Sequence, residues 1–243
     1  MCGICAEIRK DDRPPDVEGL LRMVEDMVPR GPDSQGIHVH RDRAFGHRRL
    51  SIIDLSDHGH QPMVDSHLGL TLVYNGEIYN YADIRNELRD KGYDFFSGSD
   101  TEVILKAYHC WGPDMLPRFN GMFAFVLWER DTDKVMIARD RLGIKPLYYA
   151  EDAGRIRFCS SLPGLLKAGG VDTDIDPVAL NHYMSFHSVV PPPRTILKGV
   201  RKLPPGYYML LDGKGTRELV EYWKPEFRPR ADEKDLTKED WEE

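Results

Sequence analysis

Residues 121–140 constrain the fold more than any other stretch of this chain. The run GMFAFVLWE (121–129) is apolar almost throughout, yet it is shorter than the roughly 10–12 residues a helix usually needs. The turn RDTD follows, and then a second apolar segment, KVMIARD. This spacing predicts a hairpin whose first strand has no polar side to give to water, so material must cover both faces of its sheet. Other segments supply that material. MCGICAEIR alternates loosely and reads as a strand, GIHVHRDRAFGHRRLSIIDLS as a hairpin continued by extended chain, and LGLTLVYNGEIYN as a strand running into a loop. Further strands are expected around TILKGV and GYYMLLD.

Helices are predicted between them. Asp16 can cap one that carries Val17, Leu20, Leu21 and Val24 on one face, and Asn80 one that runs to Lys91 with Ile84 and Leu88 turned inward. In SDTE, Ser99 and Glu102 form a capping-box pattern ahead of Val103, Ile104, Ala107 and Tyr108. A fourth helix is expected over Pro177 to Phe186. Hairpins with inserted helices argue for an α+β chain of antiparallel sheets covered by helices.

Composition narrows the function. The 243 residues are 41% hydrophobic and 30% charged, the balance of a soluble globular protein. The net charge of −7 disfavours a nucleic-acid partner, and no apolar run approaches a membrane span or a secretory signal, so a cytoplasmic protein acting on a small molecule is expected. Cys2, Cys5, Cys110 and Cys159 are too sparse for a disulfide framework and are expected to be free thiols. Residues 1–225 read as one domain. Residues 226–243 are charged and broken by proline, as linkers are, although LTKEDWEE offers Thr237 as the cap of a further helix.

The chemistry points to the first residues. If the initiator methionine is removed, Cys2 carries a free α-amine, with a reference pKa of about 7.7–8.0, that can serve as base for its own thiol. Acyl transfer through a thioester is the reaction class this implies; the bland alternative is a cysteine buried on a first strand. Asn75 and Gly76 offer a side-chain amide and a backbone N–H for an oxyanion hole, or else a plain turn. Arg49 can clamp a carboxylate, or lie exposed on a strand. Asp100 in the first turn of its helix can bind an ammonium group or merely complement the helix dipole, and Glu77 is a second candidate for that ammonium. Two histidines, His58 and His60, lack a third ligand and read as loop residues, so no metal site is expected. In RDRLGIKP, Arg139, Arg141 and Lys145 could form an anion-binding loop, but the phosphate-loop pattern that would support it is missing.

MCGI, RGPD, HRRLSIIDLS, QPM, YNGEIYN, SGSDTEV, GMFAFVLWE and RDRLGIKPLYY stand in this order. Taken together the chain, from Met1 to about Trp223, resembles the class II glutamine amidotransferases, and more closely the glutaminase domain of glutamine-hydrolysing asparagine synthetases. The run from Val171 to Gly206 and the start MCGICAEIR look most like the related N-acetylglutaminylglutamine amidotransferases. The resemblance implies a four-layer αββα sandwich of the N-terminal nucleophile hydrolases and assigns roles within it. Cys2 would be the nucleophile, with Asn75 and Gly76 as oxyanion hole. Arg49 would hold the glutamine α-carboxylate, Glu77 and Asp100 its α-amine, and Leu50 and Ile52 would line the pocket. The product would be glutamate, the ammonia passing to a C-terminal synthetase domain, not present here, that amidates asparagine's precursor or the dipeptide. ATP and Mg are expected only in that domain; none is expected in this chain, and a homodimer is left open. The competing reading is a non-catalytic module that binds glutamine or docks on a partner. One departure stands out: Ala6 replaces the glycine usual in the family, and an added methyl at a packed site can cost about 1–3 kcal/mol.

Overall fold

A computed structural model describes residues 1–213, 216–227 and 240. In chain order its elements are β1 (Gly3–Arg9), α1 (Val17–Asp26), β2 (Ser34–His40), β3 (Arg43–Arg49), β4 (Met63–Asp65) and β5 (Leu70–Ile78). Then come α2 (Tyr81–Asp90), α3 (Asp100–Trp111), β6 (Gly121–Glu129), β7 (Lys134–Arg139), β8 (Tyr148–Glu151) and β9 (Arg155–Cys159). The chain continues through α4 (Leu162–Ala168), α5 (Pro177–Ser185), β10 (Arg201–Lys202), β11 (Tyr207–Leu211) and β12 (Arg217–Glu221).

The strands form two antiparallel sheets, in the orders β10-β8-β9-β1-β3-β2 and β12-β11-β7-β6-β5-β4. Strand β6 shows why they must stack. Phe123, Phe125 and Leu127 turn toward α2 and α3, while Ala124, Val126 and Trp128 turn toward the other sheet and meet Ile4, Ala6, Ile8 and Phe45. A third cluster packs α1 and α4 on the far face of the first sheet, through Leu20, Met23, Val24 and Leu165 against Cys5, Ala44 and Cys159. Three apolar seams between four layers make an αββα sandwich. Ala6 sits in the middle seam without exposure and pairs in unbroken register with Phe45 and Phe158, so its methyl is accommodated.

Several local expectations are corrected. On α1 the inward residues are Leu20, Met23 and Val24, and Val17 and Leu21 face solvent. The Asn80 side chain does not cap α2; it reaches instead to the Asn120 amide at 2.9 Å and the Arg118 carbonyl at 3.0 Å. Ser99 does cap α3, but Glu102 accepts from the Phe96 and Ser97 amides rather than closing the box on Ser99. TILKGV is mainly turn, with one bridge at Leu197; the strand there is the two-residue β10. The expected helix cap at Thr237, like all of 226–243 except Glu226, Phe227 and Asp240, lies outside the described residues.

Candidate active site

The start of β1, the end of β5, the first turn of α3 and the loop after β3 meet around one pocket of about 150 Å³. Sites for drug-sized ligands run to roughly 300–1,000 Å³, so this one suits a single amino acid. Cys2, Asn75, Gly76, Arg49, Leu50, Ile52, Glu77 and Asp100 all line it. Residues up to 98 positions apart in sequence are thus brought to one place. Ile52 stands at the rim, 68% exposed.

Cys2 lies just ahead of β1. Its sulfur accepts from the Leu50 amide at 3.3 Å, and its carbonyl is held by Arg30 Nε at 3.2 Å, which gives RGPD a local purpose. Beside it Asn75 is 1% exposed, yet its Nδ2 has no hydrogen-bond partner. An unpaired buried amide costs about 1–3 kcal/mol and stands out in a folded protein. The Gly76 N–H is left open by strand parity. Asp140 takes the Phe123 amide at 3.2 Å and donates to its carbonyl at 2.8 Å, so Phe123 makes no ladder bonds to Gly76 opposite. Tyr74, Gly76 and Ile78 therefore turn their amides to the free side of β5. Gln61 Oε1 accepts the first at 2.6 Å and Asp100 the third at 3.1 Å; the middle one faces the pocket. A side chain at 76 would collide with the Met122 carbonyl, so only glycine lets the strands close here.

Charges of both signs flank this pair of donors. Arg49 is 7% exposed and braced by the Ser56 carbonyl at 3.0 Å and by that of Asp54, with its guanidinium seated over Gly59. Among the described residues no carboxylate pairs with it. Across the pocket Asp100 is 4% exposed, and Oδ2 accepts from Tyr74 Oη at 2.7 Å and from Ile78 N. Burial raises its pKa, and these two donors pull it back. The Thr101 amide also favours the carboxylate, and the group lines the pocket. Cationic and anionic ends on either side of an amide-binding centre fit an α-amino acid with a polar side chain.

Other pocket residues escaped the sequence reading. Tyr74 adjoins Asn75 but reads as an ordinary strand aromatic. Gln61 was noticed only within QPM. Lys145 stands in a motif without the phosphate-loop pattern, yet it lines the pocket at 4% exposure. Arg139 and Arg141 do behave structurally. Arg139 donates to the carbonyls of Gly143, Lys145 and Leu203, and Arg141 to that of Pro117. Cys5 is a fully buried thiol whose pKa is pushed up by burial, away from the pocket. His58 lies in a short 3-10 turn, Asp57–Gly59, and His60 directly after it, both exposed, and no cluster of metal-ligating side chains occurs among the described residues. No helix among them is long and apolar enough to cross a membrane.

Comparison with known proteins agrees with this geometry. A glutamine amidotransferase domain family matches residues 1–223. Asparagine synthetase [glutamine-hydrolyzing] 1 of Bacillus subtilis is 39% identical over 98% of this chain, which spans 38% of that relative's length. A putative asparagine synthetase [glutamine-hydrolyzing] 2 of Methanocaldococcus jannaschii is 34% identical over 98% of the chain and is spanned to 50%. Among solved structures, the glutamine phosphoribosylpyrophosphate amidotransferase of B. subtilis superposes with a TM-score of 0.69 at 17% identity, over 92% of this chain and 50% of that one, and so shares the fold. The chain belongs to the glutamine amidotransferase domain family, class II.

Proposed function

We propose that this chain hydrolyses glutamine to glutamate and ammonia through a thioester on Cys2. The observation that carries the reading is the buried, unpartnered Asn75 amide in the same pocket as the Cys2 thiol. Donors without acceptors, aimed where a carbonyl oxygen would gain charge, are what an acyl-transfer site requires and what a mere binding module does not.

The steps follow from the residues. Arg49 takes the α-carboxylate and Asp100 with Glu77 the α-ammonium, which leaves the γ-amide beside Cys2. With Met1 removed, the Cys2 α-amine accepts the thiol proton. Sulfur adds to the amide carbon, and the carbonyl electron pair moves onto oxygen between Asn75 Nδ2 and Gly76 N–H. Collapse breaks the C–N bond as the α-ammonium returns the proton to the departing nitrogen, releasing ammonia. Water, deprotonated by the same amine, then cleaves the thioester to glutamate. The relatives' names, asparagine synthetase [glutamine-hydrolyzing], support a further step in which a separate synthetase domain receives the ammonia and amidates a carboxylate; ATP and Mg are proposed for that domain alone.

Glutamate release by chain of verified mass tests this. Met1-free protein should turn over, Cys2→Ser should lose at least about 10²-fold, and Cys5→Ala should keep most activity. Protein retaining Met1 should be nearly silent, because an amide nitrogen in place of the amine cannot take the proton. No glutamate from Met1-free protein would leave the binding-module reading in its place.

A further inference from the structure

A buried ammonium group normally finds a carboxylate. Lys106, 8% exposed, does so, with Asp65 at 2.6 Å. Lys145 is more deeply buried, at 4%, and among the described residues makes neither an ion pair nor a side-chain hydrogen bond; it lies in the wall of the Cys2 pocket.

Its placement is fixed from behind. Asp140, 1% exposed, accepts from the amides of Leu142, Ile144 and Lys145 at 3.1, 2.9 and 2.9 Å, and from that of Phe123 at 3.2 Å. Arg139 Nε holds the Lys145 carbonyl at 2.8 Å. The lysine backbone is therefore clamped on both sides and tied to Phe123, the residue opposite Gly76. The loop thus sets Lys145 in the wall of the pocket that Cys2 lines and also holds Phe123, the residue across from Gly76. The charged and titratable groups acting on Lys145 are Cys2 of the β1 lead-in, Arg30 after α1, Glu77 of β5 and Asp140 of its own loop. Burial above all, with Arg30, pulls its pKa below the usual lysine value, and Cys2, Asp140 and Glu77 oppose that shift.

We propose that Lys145 supplies the fixed positive charge against which negative charge forms at Cys2, first on the thiolate and then on the oxyanion at Asn75 and Gly76. The thiolate half rests on the pocket alone, and the oxyanion half rests on the glutaminase reading. A cation here would also favour the neutral form of the Cys2 α-amine, the form that accepts a proton.

The test uses the Met1-free chain and Lys145→Met, which keeps the length of the side chain and removes its charge. Alkylation of Cys2 by iodoacetamide is followed on the Cys2 peptide by mass spectrometry at pH 7 and pH 10, alongside glutamate release. Lys145→Met should slow Cys2 alkylation about 10-fold at pH 7, with the two rates converging at pH 10, where the thiol ionises without help. Its kcat should fall about 10–10²-fold with KM within about 3-fold. A folded variant alkylated at the unchanged rate at pH 7 would overturn the proposal, even if its turnover were lost, because intact thiol reactivity means that the Lys145 charge does not act on Cys2 and that the residue serves packing alone. If Lys145→Met does not fold, Lys145→Gln takes its place with the same two outcomes. If the parent chain releases no glutamate, the glutaminase reading and the oxyanion half fall together, while alkylation still decides the thiolate half.

Discussion

At the scale of single residues, Asp100 is held between opposing influences. Burial favours its neutral form, and the Tyr74 hydroxyl and Ile78 amide favour the carboxylate that an ammonium ligand needs. Tyr74→Phe removes the hydroxyl at 2.7 Å and little else. We expect KM for glutamine to rise by about 3–10-fold, the loss of one hydrogen bond to a charged group. The rise should grow toward acid pH, where the less-supported carboxylate protonates first, with kcat little changed. A pH-independent rise would assign Tyr74 to packing. Asn75→Ala should do the reverse, lowering kcat by about 10²–10³-fold with KM nearly constant, since an oxyanion donor acts in the transition state. Steady-state kinetics of the two variants side by side would separate the roles. Asn75 was legible in the sequence because Asn-Gly at a strand end is a recognisable pair. Tyr74 was not, because nothing local shows that its ring crosses to a helix starting 26 residues later.

At the scale of elements, Asp54 in the loop after β3 reaches the turn that leads into α3. Asp54 accepts from the Ser56 amide at 3.1 Å, and its other oxygen accepts from the Gly98 amide at 2.7 Å. Its own carbonyl braces Arg49. The cationic and anionic ends of the pocket are therefore coupled through Asp54, which does not line the pocket. Asp54→Ala should raise KM for glutamine by about 10-fold while leaving kcat within about 3-fold, since it loosens both binding ends and spares the Cys2, Asn75 and Gly76 centre. A matching fall in kcat would mean the loop also positions the chemistry. Such bridges explain where the sequence reading of elements was weakest. Pattern found β6 because it is an apolar run too short for a helix, and α1 and α3 because their apolar residues recur at helical spacing behind a cap. It misread TILKGV, whose alternation is met by turns and one bridge. It also misassigned Glu102, whose carboxylate serves the turn before α3 instead of the helix cap. Capping boxes and short strands depend on which competing backbone amides come within reach, and that is a tertiary matter.

At the scale of the whole molecule, the two sheets are joined near the pocket by a polar contact. His47 of β3 is 1% exposed, and its Nε2 donates to the Tyr74 carbonyl of β5 in the opposite sheet at 3.3 Å. Burial pushes its pKa down to about 3, with His60 and Arg49 adding to the effect and the Tyr74 carbonyl opposing it. Antiparallel sheets covered by helices were foreseeable from the hairpin pattern and the αββα layering from the family resemblance, but a neutral histidine at the seam was not, since nothing local to His47 shows that it meets the opposite sheet. The consequence for stability has a definite sign. Between about pH 3 and the unfolded value near 6.5, the unfolded chain binds a proton at this site that the folded chain does not. His47 therefore contributes fully above pH 6.5, and that contribution is lost as pH falls toward 3, with a slope of up to about 1.4 kcal/mol per pH unit. His47→Gln keeps a donor for the Tyr74 carbonyl and cannot titrate. Urea unfolding of both proteins from pH 7.5 to pH 4.5 should show the parent losing stability faster than the variant below pH 6.5, so that the gap between them narrows or reverses on acidification. A gap that stays constant across that range would mean that His47 titrates alike in both states, and one that widens in the parent's favour on acidification would mean that it is charged in the folded protein.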